Sequence, residues 1–138
     1  MAIIRATSAK ARPGEEAKID VVLENNPGVI AVRLFVEFDG KNMPLTGFVD
    51  SGLLERYFHA PIKAPRENSP YVLFWENGTR KEDITEDGTA VTLTFKVSEN
   101  APKGRYRIGL SSPSPQDIIN FHLKPVSFEI VGGEIEVY

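Results

Sequence analysis

Apolar and polar residues alternate along most of this chain with a period of two, the spacing of a strand with one buried and one exposed face. The clearest run lies at residues 89–97, where apolar side chains alternate with threonine and lysine. The same alternation is found at residues 17–24, 105–110, 126–130 and 134–137. The pattern therefore predicts a protein built from short β-strands.

Turn-forming residues separate the predicted strands, for example in the Asn26-Pro27-Gly28 and Asp87-Gly88 segments. Such residues end strands and favour tight turns. No stretch of the chain keeps an apolar stripe of helical period over three turns. About nine short strands at this spacing indicate two packed sheets. We therefore expect an all-β fold, a nine-stranded jelly-roll β-sandwich, formed by residues 1–138 as a single domain.

One predicted strand, residues 30–38, is apolar on one face and mixed on the other. Its even positions form a continuous apolar face, and its odd positions carry Ala31, Arg33, Phe35 and Glu37. If the even positions are buried, the large ring of Phe35 is directed away from the core. This strand is therefore expected to present an aromatic side chain on its outer face.

Residues 71–76 form a second strand that is apolar on both faces. With Val72 and Phe74 directed to the core, its other face presents three large side chains, those of Tyr71, Leu73 and Trp75. A strand of this kind is either covered twice or offers one side to another molecule. Either the segment at residues 111–124 or the one at residues 50–65 covers it, or it is a recognition surface edged by Arg33, Glu37 and Glu76.

Composition and charge narrow the function classes. Among the 138 residues 41% are hydrophobic and 25% are charged, as in ordinary globular domains. The formal net charge of -3 is unlike that of proteins that bind nucleic acid or anionic lipid. No apolar run reaches the length of a membrane span. We expect no nucleic-acid partner and no membrane insertion.

The residues that usually carry catalysis or bind metals are scarce. The chain has no cysteine and two histidines, His59 and His122, and neither histidine has a spaced set of acidic partners. Each histidine is interpreted as a packed or surface residue. The acidic run at residues 82–87 does not have the spacing of a calcium loop and is interpreted as a solvated turn. We expect no catalytic site and no bound metal.

Several segments, taken in order, resemble the cohesin domains of cellulosomal scaffoldin proteins. The similar segments are Asn26-Pro27-Gly28-Val29-Ile30-Ala31, Leu73-Phe74-Trp75-Glu76-Asn77, Asp87-Gly88 before Leu93-Thr94-Phe95-Lys96-Val97, and Gly133-Glu134-Ile135-Glu136-Val137. The resemblance extends from about residue 7 to residue 138. It implies a jelly roll that binds a dockerin module through one sheet, made of the family's third, fifth, sixth and eighth strands.

The resemblance places this sheet at residues 30–38, part of 58–64, 71–76 and 105–110. The partner-binding residues that it implies, together with the outer faces above, are Ala31, Arg33, Phe35, Glu37, Tyr71, Leu73, Trp75, Glu76 and Arg107. It also implies that calcium belongs to the dockerin and that this chain needs no cofactor. We expect an extracellular module of a larger scaffold protein that is monomeric when free.

A carbohydrate-binding module is the alternative, because such modules are also small sandwiches with exposed aromatic residues. Tyr57, Tyr71 and Trp75 could then form a stacking platform. Charged neighbours such as Arg33 are more typical of a protein partner.

Overall fold

The computed structural model describes residues 1–79 and 81–138 and contains two β-sheets packed face to face. The all-β, two-sheet prediction is confirmed. Its strands are β1 (Ile3–Ala6), β2 (Ala9–Ala11), β3 (Glu16–Glu24), β4 (Ala31–Glu37), β5 (Leu45–Asp50), β6 (Tyr71–Glu76), β7 (Gly88–Lys96), β8 (Gly104–Ser111), β9 (Ile118–Ile119), β10 (Glu129–Val131) and β11 (Gly133–Val137), with a short 3-10 helix at Pro115–Asp117. In the described residues no helix is long and apolar enough to cross a membrane.

The five-stranded sheet has the order β10-β1-β3-β7-β5, and the six-stranded sheet has the order β2-β11-β8-β4-β6, with β9 beside β4. There are more strands than the nine predicted, in part because the chain changes sheets at both ends. β1 and β10 pair in parallel in one sheet, and β2 and β11 do so in the other. Where the chain passes from β10 to β11, a Cβ on Gly133 would lie 2.1 Å from the carbonyl oxygen of Thr7, so only glycine fits there.

The core consists of the inward side chains of both sheets, as the alternation predicts. Ile19 lies opposite Leu93, and Ala17 lies opposite Phe95, in the antiparallel pair of β3 and β7. All four side chains are buried. β5 was not predicted, because a register shift near its start interrupts the alternation that would reveal it.

The segment between β5 and β6 differs from the prediction, because no strand forms within residues 58–64. Pro61 and Pro65 contribute to this, since proline has no N–H for a strand ladder. The segment instead makes single bridges, Tyr57 to Trp75 in β6 and Arg66 to Leu45 in β5. It thereby covers the free edges of both sheets on this side of the sandwich.

Acidic side chains of the 82–87 run hold neighbouring loops. Asp83 accepts a hydrogen bond of 2.6 Å from the backbone N–H of Phe121. Asp87 accepts bonds from the N–H groups of Asn25, at 3.0 Å, and Asn26, at 2.8 Å. Over residues 1–79 and 81–138, no group of three or more His, Asp or Glu side chains could hold a metal ion. These two aspartates therefore have a local structural explanation.

Candidate functional site

The orientation predicted for β4 is confirmed. Arg33 and Glu37 are exposed, Phe35 is half-buried, and the side chains between them point into the core. Ala31 has the same outward phase but is only 7% exposed. It lies between Glu76 of β6 and Ile119 of β9 in the sheet. Neighbouring strands therefore lie on both sides of Ala31, and little of its side chain is accessible to a partner.

The orientation predicted for β6 is wrong. Tyr71, Leu73 and Trp75 are core residues, each at most 1% exposed. Val72 is 36% exposed and Phe74 is half-buried, and both have the outward phase of the strand. The three side chains expected to anchor a partner therefore belong to the interior of the sandwich.

The register between β4 and β6 explains this correction. Val72 lies opposite Phe35, and Phe74 lies opposite Arg33. Residues directly opposite each other in an antiparallel pair share a face, so Val72 and Phe74 lie on the outer side with Phe35. Glu76 could have predicted this orientation of β6 from the sequence, because a charged residue at an even position indicates that the even positions are the exposed ones.

The polar atoms of the buried aromatic residues have hydrogen-bond partners at the end of β5 and in the segment that follows it. The indole Nε1 of Trp75 donates to the Asp50 carboxylate at 2.8 Å, and the Tyr71 hydroxyl donates to the carbonyl oxygen of Ala60. Burial raises the pKa of Tyr71 to about 12. Large amphipathic rings can be buried when their polar atoms are satisfied in this way.

His59 is a packed residue, as predicted. Its ring is perpendicular to Trp75, with the ring centroids 4.6 Å apart. The backbone N–H of Phe74 donates to Nδ1 at 2.9 Å, so the ring proton lies on Nε2 and is donated to Asp50 at 3.1 Å. Burial lowers the pKa of His59, although the Asp50 carboxylate opposes this shift.

Four apolar side chains form a cluster on the outer side of the six-stranded sheet, here called the outer apolar patch: Phe35, Phe58, Val72 and Phe74. The rings of Phe58 and Phe74 have centroids 5.8 Å apart, and Phe58 is 50% exposed. A cleft of about 440 Å³ is lined by all four, with Arg33, Ala60, Arg66 and Tyr71. Such a solvent-facing cluster is characteristic of a binding surface.

Charged residues surround the patch along the same face. Arg33 lies over the ring of Phe74, 4.7 Å from its centroid. Glu37 lies opposite Gly109 of β8, whose outward face also carries the exposed Arg107. Glu76 is half-buried at the end of β6. The structure therefore brings Arg33, Phe35, Glu37, Glu76 and Arg107 onto one face.

Phe58, Arg66, Val72 and Phe74 also lie on this face, and none of them is among the partner-binding residues predicted from the sequence. Phe58 and Arg66 come from the irregular segment between β5 and β6, where no periodicity predicts direction. Val72 and Phe74 lie on a strand that is apolar at five successive positions. Periodicity cannot choose between the two faces of such a strand.

The platform considered for carbohydrate is not present on this surface. Tyr71 and Trp75 are buried, whereas Tyr57 is 47% exposed. Of the three rings considered, this leaves one accessible to a sugar. The face has instead an apolar centre and a charged rim, an arrangement found in protein–protein interfaces.

Comparison with protein families identifies this architecture. The model of the cohesin domain matches residues 3–115, which is most of the chain. The chain therefore belongs to the cohesin domain family. A comparison with curated protein sequences gave no match.

Solved structures share the fold at low sequence identity. A chain of the type I cohesin–dockerin complex Coh-OlpA–Doc918 from Clostridium thermocellum is 20% identical, with 100% of this chain and 99% of that chain covered and a TM-score of 0.85. The third cohesin ScaC of Acetivibrio cellulolyticus, in complex with the ScaB dockerin, is 22% identical, with 99% of each chain covered and a TM-score of 0.80. A non-cellulosomal cohesin from the archaeon Archaeoglobus fulgidus is 16% identical, with 99% and 91% covered and a TM-score of 0.79.

Proposed function

We propose that this chain is a non-catalytic module that binds a dockerin through the outer face of β8, β4 and β6. The observation that carries the proposal is the outer apolar patch, in which aromatic and aliphatic side chains line one cleft on the outer side of the six-stranded sheet. Membership of the cohesin family supports a dockerin as the partner, since related cohesins have been crystallised with dockerins.

The patch has enough apolar surface to anchor a partner. Covering a large apolar side chain contributes roughly 1.5–3 kcal/mol, and three phenylalanines contribute to the patch. Phe35, Phe58 and Phe74 take the anchoring role that Leu73 and Trp75 cannot have. Arg33, Glu37, Glu76 and Arg107 lie around them and contribute to orientation and partner choice.

Calcium and cellular location are part of the same proposal. Calcium belongs to the dockerin, and this chain binds its partner without a metal of its own. The module acts outside the cell as part of a larger scaffold protein, in a cellulosome or at the cell surface. The Archaeoglobus relative is described as non-cellulosomal, so dockerin binding and cellulosome membership are separate properties to test.

Two exposed valines on edge strands offer a matched test of the face. Val72 lies on β6 within the patch, and Val49 lies on β5 at the outer side of the opposite sheet, 69% exposed. Val72→Asp should abolish binding to a panel of calcium-loaded dockerins in calorimetric titration, whereas Val49→Asp should bind like the native chain. If no dockerin binds the native chain, or if both variants bind equally well, the proposal is wrong.

A further inference from the structure

Three arginines at the outer apolar patch rest on aromatic rings. The guanidinium carbon of Arg33 is 4.7 Å from the centroid of Phe74, and that of Arg56 is 5.6 Å from the centroid of Phe58. The guanidinium carbon of Arg66 is 5.2 Å from the centroid of Tyr71. A guanidinium held over a ring is attracted by the ring face and still has N–H donors available for other partners.

None of these three arginines is in a salt bridge with a carboxylate in the described part of the chain. Arg66 donates to two backbone carbonyls, those of Asn68 and Pro70. Elsewhere on the surface arginine does pair with glutamate, as in Arg5 with Glu24 at 3.0 Å. The arginines at the patch therefore keep donor capacity for bonds to another molecule.

Arg33 and Arg66 line the same cleft, together with the phenylalanines of the patch. A ligand group in this cleft would meet apolar side chains and two guanidiniums. The group that satisfies a guanidinium best is a carboxylate, which accepts two parallel N–H bonds. The local charge is thus positive on a chain whose formal net charge is -3.

We infer that the partner of this face is a dockerin whose apolar contact surface is flanked by aspartate or glutamate side chains, which pair with Arg33, Arg56 and Arg66. The inference rests on the proposed function and adds the charge class of the partner. The apolar patch supplies contact area, and the stacked guanidiniums select among dockerins by charge. Dockerins with lysine or arginine at the same positions are rejected by like-charge contact.

A pair of double charge reversals tests the inference. Arg33→Glu with Arg56→Glu removes positive charge at the patch, and no side-chain hydrogen bond within the described chain is lost. Lys18→Glu with Lys96→Glu changes the net charge equally on the outer side of the five-stranded sheet, where both lysines are exposed. Arg66 is left intact because it holds its own loop.

The native chain and both variants are titrated against dockerins whose apolar surface is flanked by carboxylates, and against the same dockerins with those carboxylates changed to lysine. The native chain should bind the acidic set, with an association rate that falls as salt is added. The patch variant should lose roughly tenfold or more of this rate, and the lysine control should lose less than twofold.

The outcomes separate the inference from the proposed function. If dockerins bind without regard to their flanking charge, or if both double variants behave alike, the inference is overturned and the dockerin-binding function stands. If a single-stranded oligonucleotide binds as tightly as the acidic dockerins, charge alone explains the surface, and the inference is overturned. If no dockerin binds, both the proposed function and the inference are wrong.

Discussion

Both sides of β6 carry large apolar side chains, but the two sides have opposite surroundings. On the inner side Tyr71, Leu73 and Trp75 are fully buried, and the polar atoms of the two aromatic residues bond to Ala60 in the segment that covers the edge and to Asp50 at the end of β5. On the outer side Val72 and Phe74 face solvent beside guanidiniums that have no carboxylate partner in the described chain.

The contrast separates residues that hold the fold from residues available for binding. On the inner side the large rings are buried by residues of the same chain, and the indole of Trp75 has a hydrogen-bond partner in Asp50. On the outer side the aromatic rings are only partly covered, and the guanidiniums near them can still donate hydrogen bonds to another molecule. A face with exposed apolar surface and with charged groups that lack partners is typical of a binding surface.

The largest expected effect concerns the inner side. Trp75→Ala should lower the free energy of unfolding by about 3–5 kcal/mol, because it empties a fully packed site and leaves Asp50 with one partner fewer. Urea denaturation of Trp75→Ala and Phe74→Ala side by side measures the contrast. An equal loss of stability in the two variants would contradict the assignment of Trp75 to the core.

The next effect concerns the outer side. Phe74→Ala should weaken dockerin binding by about 2 kcal/mol, which is roughly thirtyfold in Kd. Its stability should change by only about 1 kcal/mol, since the ring is half-buried. Calorimetric titration measures the binding, with Val49→Ala on the opposite sheet as control. Unchanged binding by Phe74→Ala would remove Phe74 from the binding face.

A smaller expected effect is a pH dependence of the free energy of unfolding, caused by His59 beside the inner side of β6. The pKa of His59 lies below its ordinary value of 6.5 in the folded chain because of burial. As the pH falls through about 6.5, the unfolded chain binds a proton that the folded chain resists, so the free energy of unfolding decreases. Protonation would also put a second N–H on the ring, facing the N–H of Phe74.

His59→Gln should reduce the loss of stability between about pH 7 and pH 5, measured by thermal unfolding. The exposed residue His122, changed to glutamine, serves as the control. The lowered pKa of Asp39, which is caused mainly by its hydrogen bond from Asn42, acts at more acidic pH and does not overlap. A pH dependence that is the same in His59→Gln and in the native chain would show that this histidine does not titrate on unfolding.

The smallest effect lies at the rim. Glu76→Gln removes a negative charge from the outer side of β6 and should raise the association rate for an acidic dockerin about twofold, with stability unchanged. Stopped-flow measurement at low salt detects the change. A slower association would mean that Glu76 attracts the partner, and the charge class inferred for the dockerin would need to be reversed.

Much of the fold is contained in local patterns. The alternation at residues 17–24, 89–97 and 105–110, and the turn residues between such runs, predict strands and hence two sheets, because a half-buried strand needs period two. The outward direction of Arg33, Phe35 and Glu37 follows from the same rule. These features need no knowledge of which strand lies beside which.

The direction of β6 and the path of the segment between β5 and β6 depend on contacts that are distant in sequence. A strand that is apolar on both faces satisfies the core in either phase, so the choice is made by its pairing with β4 and by Asp50, His59 and Ala60, which contact its inner side chains. Local periodicity carries no information about such partners. The tertiary structure alone therefore decided that Trp75 holds the sandwich together and that Phe74 faces outward.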